Sequence, residues 1–193
     1  MWGDLPNKST VAVFEFEEGS KLYFNDQRRF GWVKLYETSK IKDQKEDVLG
    51  KIGPEPFDPN WTWQQLKESL SKHPKMPIKV AIMDQSVVAG VGNIYASESL
   101  FLARIDPRKK AGSLSDEEYQ KLYEGIKKSL EEAIRYGGST IAHFVDANGK
   151  KGYFLDYANV YGKEGQPCRG CEGKVVKINL GGRGTYYCPA CQK

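Results

Sequence analysis

Four cysteines near the end of the chain are the feature that most limits how it can fold. Cys168 and Cys171 form one C-x2-C pair, Cys188 and Cys191 form a second, and sixteen residues separate the pairs. The chain has no other cysteine. Two such pairs can converge on one tetrahedral zinc ion and leave no coordination position open for a substrate. The spacing therefore predicts a single structural Zn²⁺ in a C-terminal ribbon, whose folding free energy would come largely from the metal.

Disulfides and free thiols are the alternative fates of these cysteines. Stable disulfides need an oxidising compartment, and the N-terminus lacks the basic, apolar and small-residue series of an export signal. No uncharged apolar run is long enough to span a bilayer. The sequence thus predicts a soluble cytoplasmic protein with reduced, metal-binding cysteines. Zinc ribbons bind proteins as well as nucleic acids, so the metal alone does not identify the partner.

The region around the cysteines also carries the positive charge. From Ala147 to Lys193 the chain has eight Lys/Arg and three Asp/Glu, a net charge of +5, whereas the whole chain has +4. The rest of the chain therefore sums to −1. A basic cluster of this kind suits an anionic partner such as nucleic acid, although a solvated basic surface has the same composition.

The first part of the chain has the composition of a small antiparallel sheet. Strand-forming residues from Thr10, a turn at Glu17–Ser20, the run Lys21–Phe24 and the run Phe30–Tyr36 predict a three-stranded meander. Three isolated strands bury little apolar surface and are only marginally stable. We therefore expect the meander to belong to a larger sheet whose other strands are missing. A charged loop is predicted for Thr38–Asp47.

The pattern becomes helical after the proline-rich boundary Gly53–Pro59. Helices are predicted over Trp61–Lys72 and Ile78–Met83, and then after Asn93. A capping box of Ser115 and Glu118 starts the clearest helix. The strands Lys174–Asn179 and Arg183–Tyr187 are predicted to form the ribbon. The fold class is α+β, with a partial β-domain over residues 1–52, a helical domain over 53–158 and a zinc ribbon over 159–193.

Two turns have residues suited to phosphate. Gly90–Asn93 precedes a helix, whose free N–H groups attract anions, and Asn93 lies where a capping side chain would. An ordinary helix–helix turn is the alternative. Arg28, Arg29 and Phe30 lie in a second turn, where arginine could reach phosphate and the ring could enter a base stack. The alternative there is a solvated turn with Phe30 in the core.

The remaining candidates are less informative in isolation. Lys75 and Lys79 flank the short helix, and each is typical of a solvated surface lysine rather than a phosphate ligand. His73 and His143 are the only histidines, and nothing in the sequence pairs them as metal ligands. The sequence shows no nucleophile–base arrangement and no phosphate loop of the nucleotide-hydrolysing kind.

Taken together and in this order, the motifs resemble bacterial formamidopyrimidine-DNA glycosylases of the Fpg/Nei type. These base-excision repair enzymes remove oxidised purines and cut the strand at the resulting abasic site. The run Met83–Glu98 resembles the helix-two-turn-helix signature of the family. Similar as well are the turn Asn25–Gly31, the boundary Gly53–Phe57, the step Val160–Gly162 and the ribbon end from Gly182. The resemblance runs from about Val11 to Lys193.

The resemblance implies a role for several side chains. Asn93 would hold the phosphates next to the lesion, and Lys75 would add a DNA contact. Arg183 would bind phosphate and also take part in the last strand-cutting step. Arg28 and Arg29 would face the orphaned strand, with Phe30 wedged where the damaged base is flipped out.

The resemblance also implies the partner and the setting. The segment Ser139–Tyr153 would cap the flipped base. Double-stranded DNA with an oxidised base or an abasic site would be the partner. We expect a bacterial, cytoplasmic monomer that associates with the nucleoid when it is bound to DNA.

The start of the chain departs from the family pattern. The family uses an N-terminal proline, followed by an acidic residue, to attack the sugar carbon and form a Schiff base. Here Met1 is followed by Trp2-Gly3-Asp4, and the strands that would carry an assisting lysine are not found. The resemblance, together with the marginal sheet, implies a family member that lacks roughly its first quarter. Such a chain would bind damaged DNA and be inactive in base excision. A non-catalytic DNA-binding module and a zinc-ribbon adaptor for proteins are the alternatives.

Overall fold

The structure is a computed structural model that describes residues 4–35, 37, 50–141 and 149–193. The chain divides into two compact units, Met1–Gln44 and Lys45–Lys193. Helices and small antiparallel sheets together confirm the α+β class. The predicted loop Thr38–Asp47 lies outside the described residues, and the predicted domain boundaries stay predictions. Among the helices of the described ranges, none combines the length and the apolar character that crossing a membrane requires.

The first unit contains a two-stranded antiparallel hairpin, β1 (Thr10–Glu15) and β2 (Lys21–Asn25). The predicted third strand is wrong over the part of it that the structure describes, because residues 30–35 have no strand conformation. Leu35, in this segment, is 86% exposed. Strand propensity depends on a neighbouring edge to pair with and on a face to cover. Favourable residue types alone therefore do not make this segment a strand.

The second unit is mainly helical. Its helices are α1 (Trp63–Ser71), α2 (Ile78–Ala81), α3 (Asn93–Ala103), α4 (Asp116–Arg135) and α5 (Phe154–Tyr157). The predicted capping box is confirmed at the start of α4, where Ser115 accepts from the Glu118 backbone and Glu118 accepts from the Ser115 backbone. A second capping box, of Thr62 and Gln65, starts α1.

Helix α3 lies at the centre of this unit. It packs closely on α4, where a Cβ at Gly125 would lie 2.6 Å from the backbone oxygen of Ser99, so only glycine fits there. The hydroxyl oxygens of Ser99 and Ser129 lie 2.8 Å apart across the same contact. Such close contacts leave α3 little freedom to shift. The first turn of α3 is therefore held in a fixed place.

The C-terminal ribbon is an antiparallel hairpin of β3 (Val176–Leu180) and β4 (Arg183–Tyr187), as predicted. Gly181 and Gly182 form its turn with φ values of +59° and +72°, which favour glycine. The ribbon has its own small core, to which α3 contributes Phe101. Helix α3 thus belongs to both the helical core and the ribbon, and it fixes the one against the other.

Candidate nucleic-acid interface and metal centre

The thiol groups of the ribbon converge as their spacing predicts. Four sulfur atoms lie within 4.8 Å of one another, those of Cys168, Cys171, Cys188 and Cys191. The Cys168–Cys191 and Cys171–Cys188 sulfur pairs are 3.8 Å and 3.5 Å apart. Tetrahedral zinc with Zn–S bonds of about 2.3 Å requires sulfur separations of about 3.8 Å. The four residues therefore fit a zinc ion.

The second cysteine pair is tied to the helical core by a glutamine near the end of the chain. Gln192 is buried, and its amide oxygen accepts a hydrogen bond from the Cys188 backbone at 2.8 Å. Its amide nitrogen donates to the Ile105 carbonyl at 2.9 Å. The Lys193 backbone donates to Arg104 and accepts from Asp106, each at 3.1 Å. The metal site is thereby joined to the turn that follows α3.

Asn93 lies at the centre of a polar cluster beside the tip of the ribbon hairpin. It is the first residue of α3, and Gly92 is the N-cap, so the predicted capping role is wrong. Its side chain bonds elsewhere: the oxygen accepts from the Lys79 ammonium. Its nitrogen donates to the Gly184 carbonyl at 3.1 Å and to the Tyr161 hydroxyl at 3.4 Å. Three distant segments of the chain meet at this one amide.

Lys79 contradicts the expectation of a solvated lysine, because its side chain is fully buried. Burial, followed by the positive charge of Arg183, lowers its pKa from 10.5 to about 8. In the described part of the chain, no carboxylate pairs with its ammonium group. A buried cation without a counter-ion is electrostatically costly. A negatively charged group bound beside Lys79 would therefore be stabilised electrostatically.

Arg183 is brought to Lys79 by the hairpin turn. A Cβ at Gly181 would lie 2.8 Å from the Val80 side chain, so the turn packs directly on α2. Arg183, the first residue of β4, is itself exposed. The sequence-predicted residues Asn93 and Arg183 are therefore brought together. With Lys79 they form what we call the cationic cluster: Lys79, Asn93 and Arg183.

A buried carboxylate fixes one of the hydrogen-bond partners of Asn93. Glu98, on α3, is completely buried. One of its oxygens accepts from the backbone and side-chain nitrogens of Asn159 at 2.8 and 2.9 Å. The other accepts from the backbone nitrogens of Val160 and Tyr161, both at 2.9 Å. Glu98 therefore sets where Tyr161, a partner of Asn93, is held.

The turn at residues 26–31 lies in the first unit. Phe30 is 75% exposed, so it does not belong to a core. The Arg28 guanidinium carbon lies 4.9 Å from the centre of its ring. The Asp26 carboxylate accepts from the Gly31 and Arg28 backbones at 2.5 and 2.9 Å, bonds that lower its pKa. Arg29 has a φ of +54°. The turn therefore presents two arginines and a ring from an ordered backbone.

The structure does not test the roles predicted for two further features, Lys75 and the segment Ser139–Tyr153. Lys75 is exposed, and the described residues provide it with no contact to the cationic cluster. In the segment Ser139–Tyr153, residues 142–148 lie outside the described part. The two ends of that segment meet in an antiparallel bridge between Ser139 and Tyr153. The roles that the resemblance gave to Lys75 and to this segment stay predictions.

Comparison with known protein families identifies two parts of the chain. Residues 52–145 match the family model described as the formamidopyrimidine-DNA glycosylase H2TH domain. Residues 165–193 match the zinc finger found in Fpg and isoleucyl-tRNA synthetase (IleRS). These are the helical region that contains Asn93 and the ribbon that contains Arg183.

Curated relatives cover nearly the whole chain. The formamidopyrimidine-DNA glycosylase of Rickettsia conorii is 44% identical over 185 residues, which are 96% of this chain and 66% of the relative. The enzyme of Listeria innocua is 42% identical over 186 residues, 96% of this chain and 67% of the relative. The chain thus spans about two thirds of the length of these relatives.

Solved structures agree with these relatives. MutM (Fpg) from Thermus thermophilus superposes with a TM-score of 0.82 at 38% identity, over 97% of this chain and 70% of that protein. Lactococcus lactis Fpg, solved with DNA that contains an abasic site, superposes with a TM-score of 0.80 at 36% identity, over 94% and 65% of the two chains. The chain belongs to the formamidopyrimidine-DNA glycosylase (Fpg/MutM) family.

Proposed function

We propose that this chain is the DNA-holding part of a base-excision repair glycosylase and abasic-site lyase. The observation that carries the proposal is the cationic cluster. A buried lysine that has no carboxylate partner among the described residues, an exposed arginine and the first turn of α3 converge on one point. Such a group offers two positive charges and free helix N–H groups to a phosphate.

We propose one Zn²⁺, with a purely structural role, in the ribbon. The four cysteine sulfurs lie within 4.8 Å of one another and would fill all four tetrahedral positions, so no position would be open for water or substrate. The metal would keep β3 and β4 together and hold Arg183 against α2. Arg183 would then bind a phosphate beside the lesion and contribute to the last strand-cutting step.

The substrate class is proposed from the relatives. Their name specifies formamidopyrimidine-DNA, and the solved relatives include complexes with abasic-site DNA and with DNA that contains carbocyclic 8-oxo-guanine. We propose duplex DNA with an oxidised purine or an abasic site as the partner of this chain, bound by a monomer. The turn with Arg28, Arg29 and Phe30 would contact the strand opposite the lesion, and Lys75 would add a phosphate contact.

We further propose that this chain alone does not excise bases, because the resemblance matches none of its residues to the family's proline nucleophile or to the lysine that assists it. Borohydride trapping on duplex DNA that contains 8-oxoguanine tests this. No covalent adduct is expected from this chain, and a trapped adduct would contradict the claim. Binding of the same duplex without trapping distinguishes an inactive DNA binder from a protein adaptor, which would show no DNA affinity.

Salt dependence gives the first quantitative prediction. The three cations that we propose at phosphates, Lys75, Lys79 and Arg183, predict a slope of log affinity against log salt of about −2.7, or about 40-fold weaker binding between 50 and 200 mM salt. Arg183→Gln should make the slope shallower by about one unit, because it removes one contact. Fluorescence anisotropy with a labelled duplex measures both values. The control is Lys121→Met, which removes an exposed lysine paired with Glu117. An unchanged slope in Arg183→Gln would remove this arginine from the interface.

Lys79 makes DNA binding depend on pH. A bound phosphate favours its charged form, so binding takes up a proton once the pH exceeds the pKa of about 8 in the free protein. The affinity for DNA should therefore fall as the pH rises, about tenfold from pH 7 to pH 9 at constant salt. Lys79→Met should bind more weakly at pH 7 and lose this dependence. A wild-type affinity that is flat between pH 7 and pH 9 would contradict the proposed electrostatic role of Lys79.

A further inference from the structure

Tyr95 lies two residues after Asn93, in the first turn of α3, and contacts a different part of the molecule. Its hydroxyl oxygen is 3.1 Å from that of Ser139. Its ring packs at a tilt against Phe154, with 5.6 Å between the ring centres. Ser139 and Phe154 lie at opposite ends of one segment of the chain. A single side chain next to the cationic cluster therefore contacts both ends of that segment.

The two ends form a closed structure, which we call the loop base: Ser139, Thr140 and Gly152–Phe154. The Phe154 and Tyr153 backbones donate to Gly138 and Tyr136 at 3.1 and 2.9 Å. The Gly152 backbone donates to the Thr140 hydroxyl at 2.8 Å. A Cβ at Gly152 would clash with the Gly138 carbonyl. These contacts leave the loop base few alternative arrangements, so a shift at one end must move the other.

We propose that Tyr95 is a positioning residue that links phosphate binding at Asn93 to the loop base. The inference rests on the proposed DNA-binding function. A phosphate held at the start of α3 would fix the first turn of that helix. The hydroxyl and ring of Tyr95 would then restrain Ser139 and Phe154 as well. DNA binding would in this way fix the position of the loop base relative to the helical core.

Hydrogen–deuterium exchange without DNA tests the link itself. Tyr95→Phe keeps the ring packing on Phe154 and removes only the hydroxyl. We expect the backbone amides of residues 152–154 to exchange about three- to tenfold faster, since one hydrogen bond to the loop base is lost. Ser139→Ala should have the same effect, and the double variant should add nothing. The matched control is Tyr123→Phe, which removes a hydroxyl that donates to Trp61 at 3.0 Å. Unchanged exchange in Tyr95→Phe, or an equal change in the control, would overturn the link.

A second arm adds a duplex with a tetrahydrofuran abasic analogue. In the wild type, DNA should slow exchange at residues 152–154 at least threefold. In Tyr95→Phe this protection should disappear while the Kd changes less than twofold. Equal protection in both proteins would show that DNA acts on the loop base directly and would overturn the proposal. A wild type that does not bind the duplex would instead mark the failure of the proposed function, and the DNA-free arm would still report on the link.

Discussion

Removing zinc should unfold the C-terminal hairpin and weaken DNA binding about 100-fold or more while the helical core stays folded. The ribbon core is small, formed by Phe101, Val160, Cys168, Val175 and Cys188. Such a core cannot offset the conformational entropy of the segment by itself. Structural zinc contributes about 10–16 kcal/mol to the folding of comparable fingers. The helical core has its own large apolar cluster and capped helices, so it does not depend on the metal.

DNA binding should be lost together with the hairpin because two cluster contacts come from β4. Arg183 supplies a charge, and the Gly184 carbonyl orients the Asn93 amide. Loss of a charge-assisted contact costs about 1.5–3 kcal/mol, and the amide would also lose its orientation. We expect affinity for an abasic-site duplex to fall about 100-fold or more.

The measurement pairs a zinc assay with residue-resolved exchange. A chelator, or the variant Cys188→Ser, should release the metal and expose the amides of β3 and β4. The amides of α3 and α4 should stay protected, and added Zn²⁺ should restore the chelated protein. Glu172→Gln, an exposed change beside Cys171, is the matched control and should keep both metal and affinity. A protected hairpin in the metal-free protein would contradict the structural role of zinc.

The features that sequence predicted correctly depend on residues close together in the chain. The paired cysteines, the capping box at Ser115 and the two strands of the ribbon each require only a few neighbours. Lys79 and Asn93 were described less well, because their surroundings come from β4, about a hundred residues later. The predicted third strand is wrong over its described part, residues 30–35, for the same reason. Strand pairing there depends on a neighbouring edge that the local residues do not specify.

Two buried charged side chains, those of Lys79 and Glu98, can be recognised from the sequence pattern. Lys79 is the only charged residue in the run Ile78–Met83, and Glu98 is the only one in α3, Asn93–Ala103. A single charge inside an apolar helix must be buried or must interrupt the apolar face. The pattern thus indicates a buried polar contact, although it does not identify the partner, which lies elsewhere in the chain.

Replacing Glu98 should be the most damaging single change in the helical core. In Glu98→Ala, the backbone nitrogens of residues 159–161 lose their acceptor in a buried place. Each unsatisfied buried donor costs about 1–3 kcal/mol, partly offset if water enters, so we expect unfolding free energy to fall by about 3 kcal/mol. Urea denaturation measures this loss. Glu117→Gln, an exposed acid on α4 paired with Lys121, should stay within about 0.5 kcal/mol of the wild type.

Glu98→Gln distinguishes positioning from stability. The amide keeps the size of the side chain but replaces one acceptor oxygen with a donor that faces backbone N–H groups. Tyr161 should therefore shift, although the protein stays folded. Because Tyr161 accepts from Asn93, affinity for an abasic-site duplex should fall about tenfold under conditions where the variant is fully folded. If affinity were unchanged despite the lost stability, Glu98 would only hold the ribbon to α3 and would have no part in orienting the cationic cluster.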